Sequence, residues 1–296
     1  MKKFYLISVA IITIGIILLG IGETNGGRED INNIHSGITT NIENFFNRNQ
    51  THADSHHVPA KSRTFNVGKF SKINIDAEEP NIQIAKGDNF QIKVSGPNVK
   101  KISTKVHGEK LTISDNGVYE DGTYKVIVTV PEADSLKEIT GSCSEGNVHL
   151  ADLTVASINL QSEDGNITTD SIKTQEANFD LDNGDLKISN STLTSSFLNM
   201  SEGDLIVTSS HFKIKATLGD GDAKINNSNL LDNSSFNLSE GDFQMSRSPK
   251  ISYQLSTASD DDLVFHGNNH RKHFSKKLKG LPLLKVTSGD GDIVIN

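Results

Sequence analysis

The chain has 296 residues, of which 34% are hydrophobic and 6% aromatic, with no tryptophan. That is thin for one large globular core and suits a fold that buries small layers repeatedly. A formal net charge of −8 argues against nucleic acid, which rewards clustered Lys and Arg. The single cysteine, Cys143, rules out an intrachain disulfide and a paired-cysteine metal site.

Residues Phe4 to Gly22 carry no charge and follow Lys2 and Lys3. At the helical rise this stretch approaches the roughly 30 Å of a hydrocarbon core. Residues 1–25 are therefore expected to form a transmembrane helix acting as an uncleaved signal anchor. A cleaved signal peptide is the alternative, although its shorter apolar region and A-x-A-like site are not evident. Lys2 and Lys3 outweigh Arg28 on the other flank, which keeps the tail cytoplasmic. The expected location is the cell membrane, single-pass, with the C-terminal domain extracytoplasmic.

Between residues 26 and 63 a helix and a polar linker are expected. Ile31, Ile34, Ile38, Ile42 and Phe45 recur at helical spacing. They suit a stalk helix, or one lying on the membrane or pairing with its own copy. In the linker, His52, Asp54, His56 and His57 have the chemistry to ligate zinc or copper. A solvated histidine-rich tract explains them equally.

From Thr64 the period changes to two. "FNVGKFSKINIDA", "NIQIAKGDNFQIKVSG", "KLTISDNG" and "YKVIVTVPEADSLKEIT" alternate apolar and polar residues between turn signals. A β-rich head is expected over 64–140. Pro131 follows its strand where no ladder donor is needed.

From 141 to 296 one phrase returns eight times: an acidic residue, glycine, Asp or Asn, then a short alternating strand. The glycines are 146, 165, 184, 203, 221, 241 and 291, with Asp261 in the remaining slot. A fixed period near 20 residues marks a solenoid. Apolar pairs such as Leu186/Ile188 and Phe243/Met245 follow the glycine. Leu193, Phe212, Leu230 and Ile251 sit midway, and triples such as Ala177/Phe179/Leu181 precede the next glycine. Stacked, these residues form a continuous internal ladder that no single unit could bury alone. The fold class expected is all-β: a β-rich N-terminal head running into a parallel β-solenoid of ~19–20-residue coils. The glycine is expected to take a corner that other residues find sterically expensive. The last step contains an insertion at about 266–280.

Stacking would align Glu145, Asp164, Glu202, Asp220, Glu240, Asp260 and Asp290 beside Asp185, Asp204, Asp222, Asp242, Asp262 and Asp292. Such ladders repel one another unless screened or bridged by cations. Calcium, held through Glu202, Asp204, Asp220, Asp222, Glu240 and Asp242, is one reading. The other needs no cofactor: the acids shape turns and solubilise the surface. The insertion carries Arg271, Lys272, Lys276, Lys277 and Lys279. They are candidates to bind an envelope polymer, an anionic lipid or an acidic protein partner, and a tolerated surface insertion is the plainer account.

The β-rich entry and the "SEGDLIVTS"-type repeats, over about 64–296, resemble a family of adhesin-like bacterial surface proteins of unknown function. The resemblance implies an envelope-associated protein, mostly of Gram-positive bacteria and in part linked to envelope stress. It carries no catalytic residues. No G-x-S-x-G, P-loop or H-E-x-x-H motif occurs. A non-enzymatic surface module, adhesin or sensor, is therefore expected. A polysaccharide-active β-helix enzyme and a calcium-stabilised surface protein stand as the alternatives.

Overall fold

The computed structural model describes residues 61–296 except 116, 118–123, 132–135, 248 and 259–261. The expected anchor, juxtamembrane helix and histidine-rich linker, together with Asp260 and Asp261, lie outside the described residues. Among the described residues, no helix is long and apolar enough to cross a membrane.

Alternating side chains make nearly every described segment a strand. The head contains β1 (Lys61–Asn66), β2 (Lys72–Ala77), β3 (Asn81–Lys86), β4 (Gln91–Gly96), β5 (Ile102–His107), β6 (Lys110–Asp115) and β7 (Lys125–Val130). Long and short strands then alternate: β8 (Leu136–Cys143), β9 (Val148–Ala151), β10 (Thr154–Ser162), β11 (Ile167–Asp170), β12 (Lys173–Leu181) and β13 (Leu186–Ser189). The alternation continues with β14 (Thr192–Glu202), β15 (Leu205–Thr208), β16 (His211–Asp220) and β17 (Ala223–Asn226). A two-residue β18 (Asn229–Leu230) precedes β19 (Ser234–Glu240), β20 (Phe243–Ser246), β21 (Ser252–Thr257) and β22 (Leu263–Phe265). The insertion forms β23 (Asn268–His270) and β24 (His273–Lys276), and the chain closes with β25 (Leu283–Asp290) and β26 (Ile293–Ile295).

The long strands build one sheet and the short strands a second, each of thirteen strands. Successive coils pair in parallel at a shift of one repeat, as in Phe179 opposite Leu198 and Leu186 opposite Leu205. The apolar positions of the repeat point between the sheets. Phe179, Leu198, Leu205, Phe212, Ile225, Phe236 and Phe243 are all buried there, each worth about 1.5–3 kcal/mol relative to exposure. The core runs unbroken from Phe70 to Ile295, within one compact unit spanning Val58–Asn296.

The glycine corner is sterically expensive for other residues, as expected, and for two reasons: Gly203, Gly221, Gly241 and Gly291 have φ between 98° and 147°, and every coil passes close to the next. Gly146, Gly165 and Gly184 do not have positive φ. A Cβ on Gly165 or Gly184 would stand on the carbonyl oxygen of the preceding coil's glycine, and one on Gly146 on the oxygen of Pro80. At these three positions close approach of one coil to the next, rather than backbone conformation, demands glycine, and at the later four both do. The non-glycine residues with positive φ lie at the opposite corner, after each short strand: Asp152, Ser171, Asn190, Ser209, Asn227, Arg247 and His266, with φ between 48° and 57°. The short side chains of Asp152, Asn190 and Asn227 suit that region because they can bond locally.

Coil order also departs from the linear stacking that the repeat suggests. β25 and β26 lie between β19/β20 and β21/β22. The last coil in sequence is thus next to last in space. The insertion makes this possible, because β23 and β24 turn back antiparallel on β22 and β21 and return the chain beneath the outermost coil. The other end is built the same way. β2/β3 form a coil beside β8/β9, and β6/β7 lie outside it. Antiparallel β4 and β5 cover β7 and β6. Each end therefore pairs its outermost coil with antiparallel strands, which limits the open parallel edge offered to other chains.

Candidate functional site

The repeated Asp or Asn after the glycine forms a hydrogen-bonded column. Asn147 N donates to Asn81 Oδ1 at 3.0 Å, Asn166 N to Asn147 Oδ1 at 2.9 Å, and Asp185 N to Asn166 Oδ1 at 2.7 Å. Asp204 N, Asp222 N and Asp242 N continue it at 3.0 Å each, onto Asp185, Asp204 and Asp222. Asp292 N reaches Asp242 Oδ1 at 2.8 Å, and Asp262 N reaches Asp292 Oδ1 at 3.0 Å. At a corner the sheet ladder cannot satisfy these amides, so the neighbouring coil's side chain does. The column follows the spatial order of the coils and crosses the rearranged end without a gap.

This geometry bears on the cation reading of Asp204, Asp222 and Asp242. One oxygen of each already accepts a backbone N–H. The other oxygens of Asp204 and Asp222 share Lys224, whose Nζ lies 3.7 Å and 2.9 Å away. The N–H of Asp242 and then the Lys224 ammonium hold the Asp222 carboxyl below its usual range. Glu202, Asp220 and Glu240 are exposed on the outer side of the same corner. Among the described residues, no three His, Cys, Asp or Glu side chains converge where a metal ion could be held.

A second column runs at the left-handed corner. Buried Ser191, Ser210 and Ser228 hydroxyls accept from Ile172 N, Ser191 N and Ser210 N at 3.0–3.1 Å. Each hydroxyl donates to the carbonyl two residues back.

An acidic groove crosses the head and the first coils. Asp76, Glu78, Asp115, Ser142 and Ser144 line a cavity of ≈ 430 Å³, and Ser142 and Ser144 also line an adjoining one of ≈ 280 Å³ with Glu163, Asp180 and Asp182. Burial, and then Glu145, Asp115 and Glu78, push the Glu79 carboxyl above its usual range. This face repels anions. Cys143 is packed beneath it, its Sγ 3.4 Å from the Pro80 carbonyl. Burial pushes its thiol up to about 12, which makes it a poor nucleophile at neutral pH.

The basic insertion is divided by β24. Lys272 Nζ donates to Ala258 O at 3.1 Å, at the end of β21 nearer the acidic corner. Lys276 stands opposite Tyr253 at the other end, its Nζ 5.5 Å from the Phe265 ring centroid. Phe274 stacks on Phe265 at 4.2 Å, and Tyr253 meets Phe265 edge-on at 5.1 Å. This aromatic cluster seals the end of the core. Arg271, Lys277 and Lys279 are exposed. The structure therefore groups Lys276, Lys277 and Lys279 at one end and Arg271 with Lys272 at the other, and gives Lys272 and Lys276 structural contacts.

Three exposed large hydrophobics escaped the sequence reading: Phe197 at 50%, Leu231 at 45% and Leu281 at 38%. Phe197 points outward between Asn178 and Lys215. Leu231 and Leu281 fall at one corner, beside Lys279. Period-two alternation breaks at corners, so the outward direction of Leu231 and Leu281 is not legible from their neighbours in the chain.

The profile of the family described as Toastrack DUF4097 matches residues 70–296. No curated protein matches the chain. A crystal structure described as a putative adhesin from Bacteroides fragilis is 17% identical, with a TM-score of 0.53 over 80% of this chain and 97% of that one. A similarly described protein from Parabacteroides merdae is 10% identical, with a TM-score of 0.44 over 80% of this chain and 96% of that one. A putative lipid binding protein from Parabacteroides distasonis is 13% identical, with a TM-score of 0.43 over 80% and 97%. The first of these shares the fold.

Proposed function

The chain belongs to the Toastrack DUF4097 family, and from that premise we propose that it is a non-enzymatic, membrane-anchored extracytoplasmic module that binds anionic envelope material through its C-terminal cap. The uncharged Phe4–Gly22 segment behind Lys2 and Lys3 supports the anchor and its orientation. Against catalysis stands the prior engagement of the reactive groups. The corner carboxylates accept backbone amides, and the Cys143 thiol is buried and protonated.

The observation that carries the reading is the separation of charge over the coils. Carboxylates line the glycine corner, while the cap carries exposed Lys277 and Lys279 at one end of β24 and exposed Arg271 at the other. A local group of exposed cations offers an anion site despite an acidic net charge. The test is cosedimentation of Val58–Asn296 with purified envelopes over a salt series. Arg271→Gln/Lys277→Gln/Lys279→Gln should bind about tenfold more weakly at low salt, with its melting temperature unchanged. Binding indifferent to salt and to these substitutions would remove the cap from the mechanism.

A further inference from the structure

Two exposed large hydrophobics, Leu231 and Leu281, lie at one corner. β19 and β25 pair in parallel with Ser234 opposite Leu284, and Leu283 N donates to Asn233 Oδ1 at 2.8 Å. Leu231 and Leu281 each stand two residues before that bonded pair, which places both at this corner. The turn at Lys279–Gly280 protrudes, with Gly280 at φ 75° and open space around it. Ser252 ties this turn down, since its hydroxyl accepts from Leu278 N and its own N–H donates to Pro282 O. Pro249 and Lys250 therefore approach the same corner.

The unpaired charges around the leucines have one sign. Lys250, Lys277 and Lys279 are exposed and form no ion pair with the described residues. Asp232, next to Leu231, is paired with Lys213 at 3.0 Å. The acidic corner lies at the far end of β25, at Asp290, about 25 Å away at the strand rise. One edge of the cap thus presents apolar side chains ringed by free ammonium groups, and the opposite edge presents carboxylates.

We propose that this edge docks on an anionic lipid bilayer, with Leu231 and Leu281 entering the interface and Lys250, Lys277 and Lys279 among the headgroup phosphates. The proposal rests on the anion-binding reading of the cap and names its ligand. A soluble polyanion would use the lysines alone and leave two leucines in water. A bilayer uses both, because apolar insertion and attraction to anionic headgroups add. The carboxylate edge, repelled by the same surface, fixes the orientation.

The test uses Val58–Asn296, which carries its own core and lacks the apolar N-terminal segment. Vesicles of phosphatidylglycerol with phosphatidylcholine are compared with phosphatidylcholine alone and with soluble polyphosphate. Leu231→Ser/Leu281→Ser, whose melting temperature is checked first, should partition about tenfold more weakly onto anionic vesicles while binding polyphosphate as before. An environment-sensitive dye on Leu281→Cys should shift to the blue on anionic vesicles only, and the same dye on Asp290→Cys should not. Cys143 is too buried to take the label. A probe at 281 that stays in water while vesicle binding remains salt-sensitive would overturn the insertion and leave the anion-binding reading standing. Loss of salt-sensitive binding to vesicles and polyphosphate alike would overturn both.

Discussion

Asp222 shows how a single residue serves the stack. Its Oδ1 accepts the Asp242 N–H at 3.0 Å and its Oδ2 takes the Lys224 ammonium at 2.9 Å. Three coils use Asn for the same hydrogen bond, at Asn81, Asn147 and Asn166. The bond therefore needs an oxygen, not a charge. Asp222→Asn should be close to neutral at pH 7, whereas Asp222→Ala should cost about 1 kcal/mol by leaving the Asp242 N–H without its acceptor. The pH dependence has a defined sign. Because the folded carboxyl titrates below its ordinary value of 3.8, its contribution is present above that value and fades as the pH falls through the depressed one. Urea melts of wild type and Asp222→Asn at pH 7 and pH 3 check this, with any advantage of the wild type shrinking at pH 3. A wild-type advantage that grows on acidification would contradict the assignment. Solvent exposure of the Lys224 pair keeps the effect small.

At the scale of the coil, the repeat behaves as an interchangeable layer. Removing Gly184–Glu202 would bring Gly165 against Gly203 and Asn166 against Asp204, restoring the glycine contact and the corner hydrogen bond. Folding should survive, with the long axis shortened by about 4.8 Å in small-angle scattering. Loss of cooperative unfolding after this deletion would contradict a solenoid. Much of this layer was legible in the sequence, because the apolar pairs and triples around each glycine all proved to point inward. The close approach of neighbouring coils at the glycine was not. A residue demanded by φ and one demanded by a neighbour's carbonyl are the same letter. The β2/β3 coil was hidden for a related reason. Pro80 occupies the glycine position there, so "AEEPN" does not read as the repeated phrase although Asn81 begins its hydrogen-bonded column.

For the whole molecule, the sequence carries little information about the order of the coils. Phe243 packs beside Ile293, yet Leu263 would fill that place with similar chemistry, and the Asp column accepts either neighbour. What sets the order is the connection. An insertion long enough to form β23 and β24 lets the chain cap its outermost coil before it returns. The cap therefore has two duties, closing the core through Phe265 and Phe274 and presenting the basic, apolar edge where binding is proposed. The placement of that edge depends on β25 lying under β21, so strand order is the claim on which the rest stands. Disulfide trapping tests it most directly. Asn237 lies opposite Thr287, which lies in turn opposite Ser256, and all three side chains face outward. Asn237→Cys/Thr287→Cys should oxidise readily, since adjacent strands fall within disulfide reach, whereas Asn237→Cys/Ser256→Cys, about 10 Å apart across an intervening strand, should stay reduced. The reverse result, a bond between positions 237 and 256 and none between 237 and 287, would mean that the coils stack in sequence order and would contradict the account.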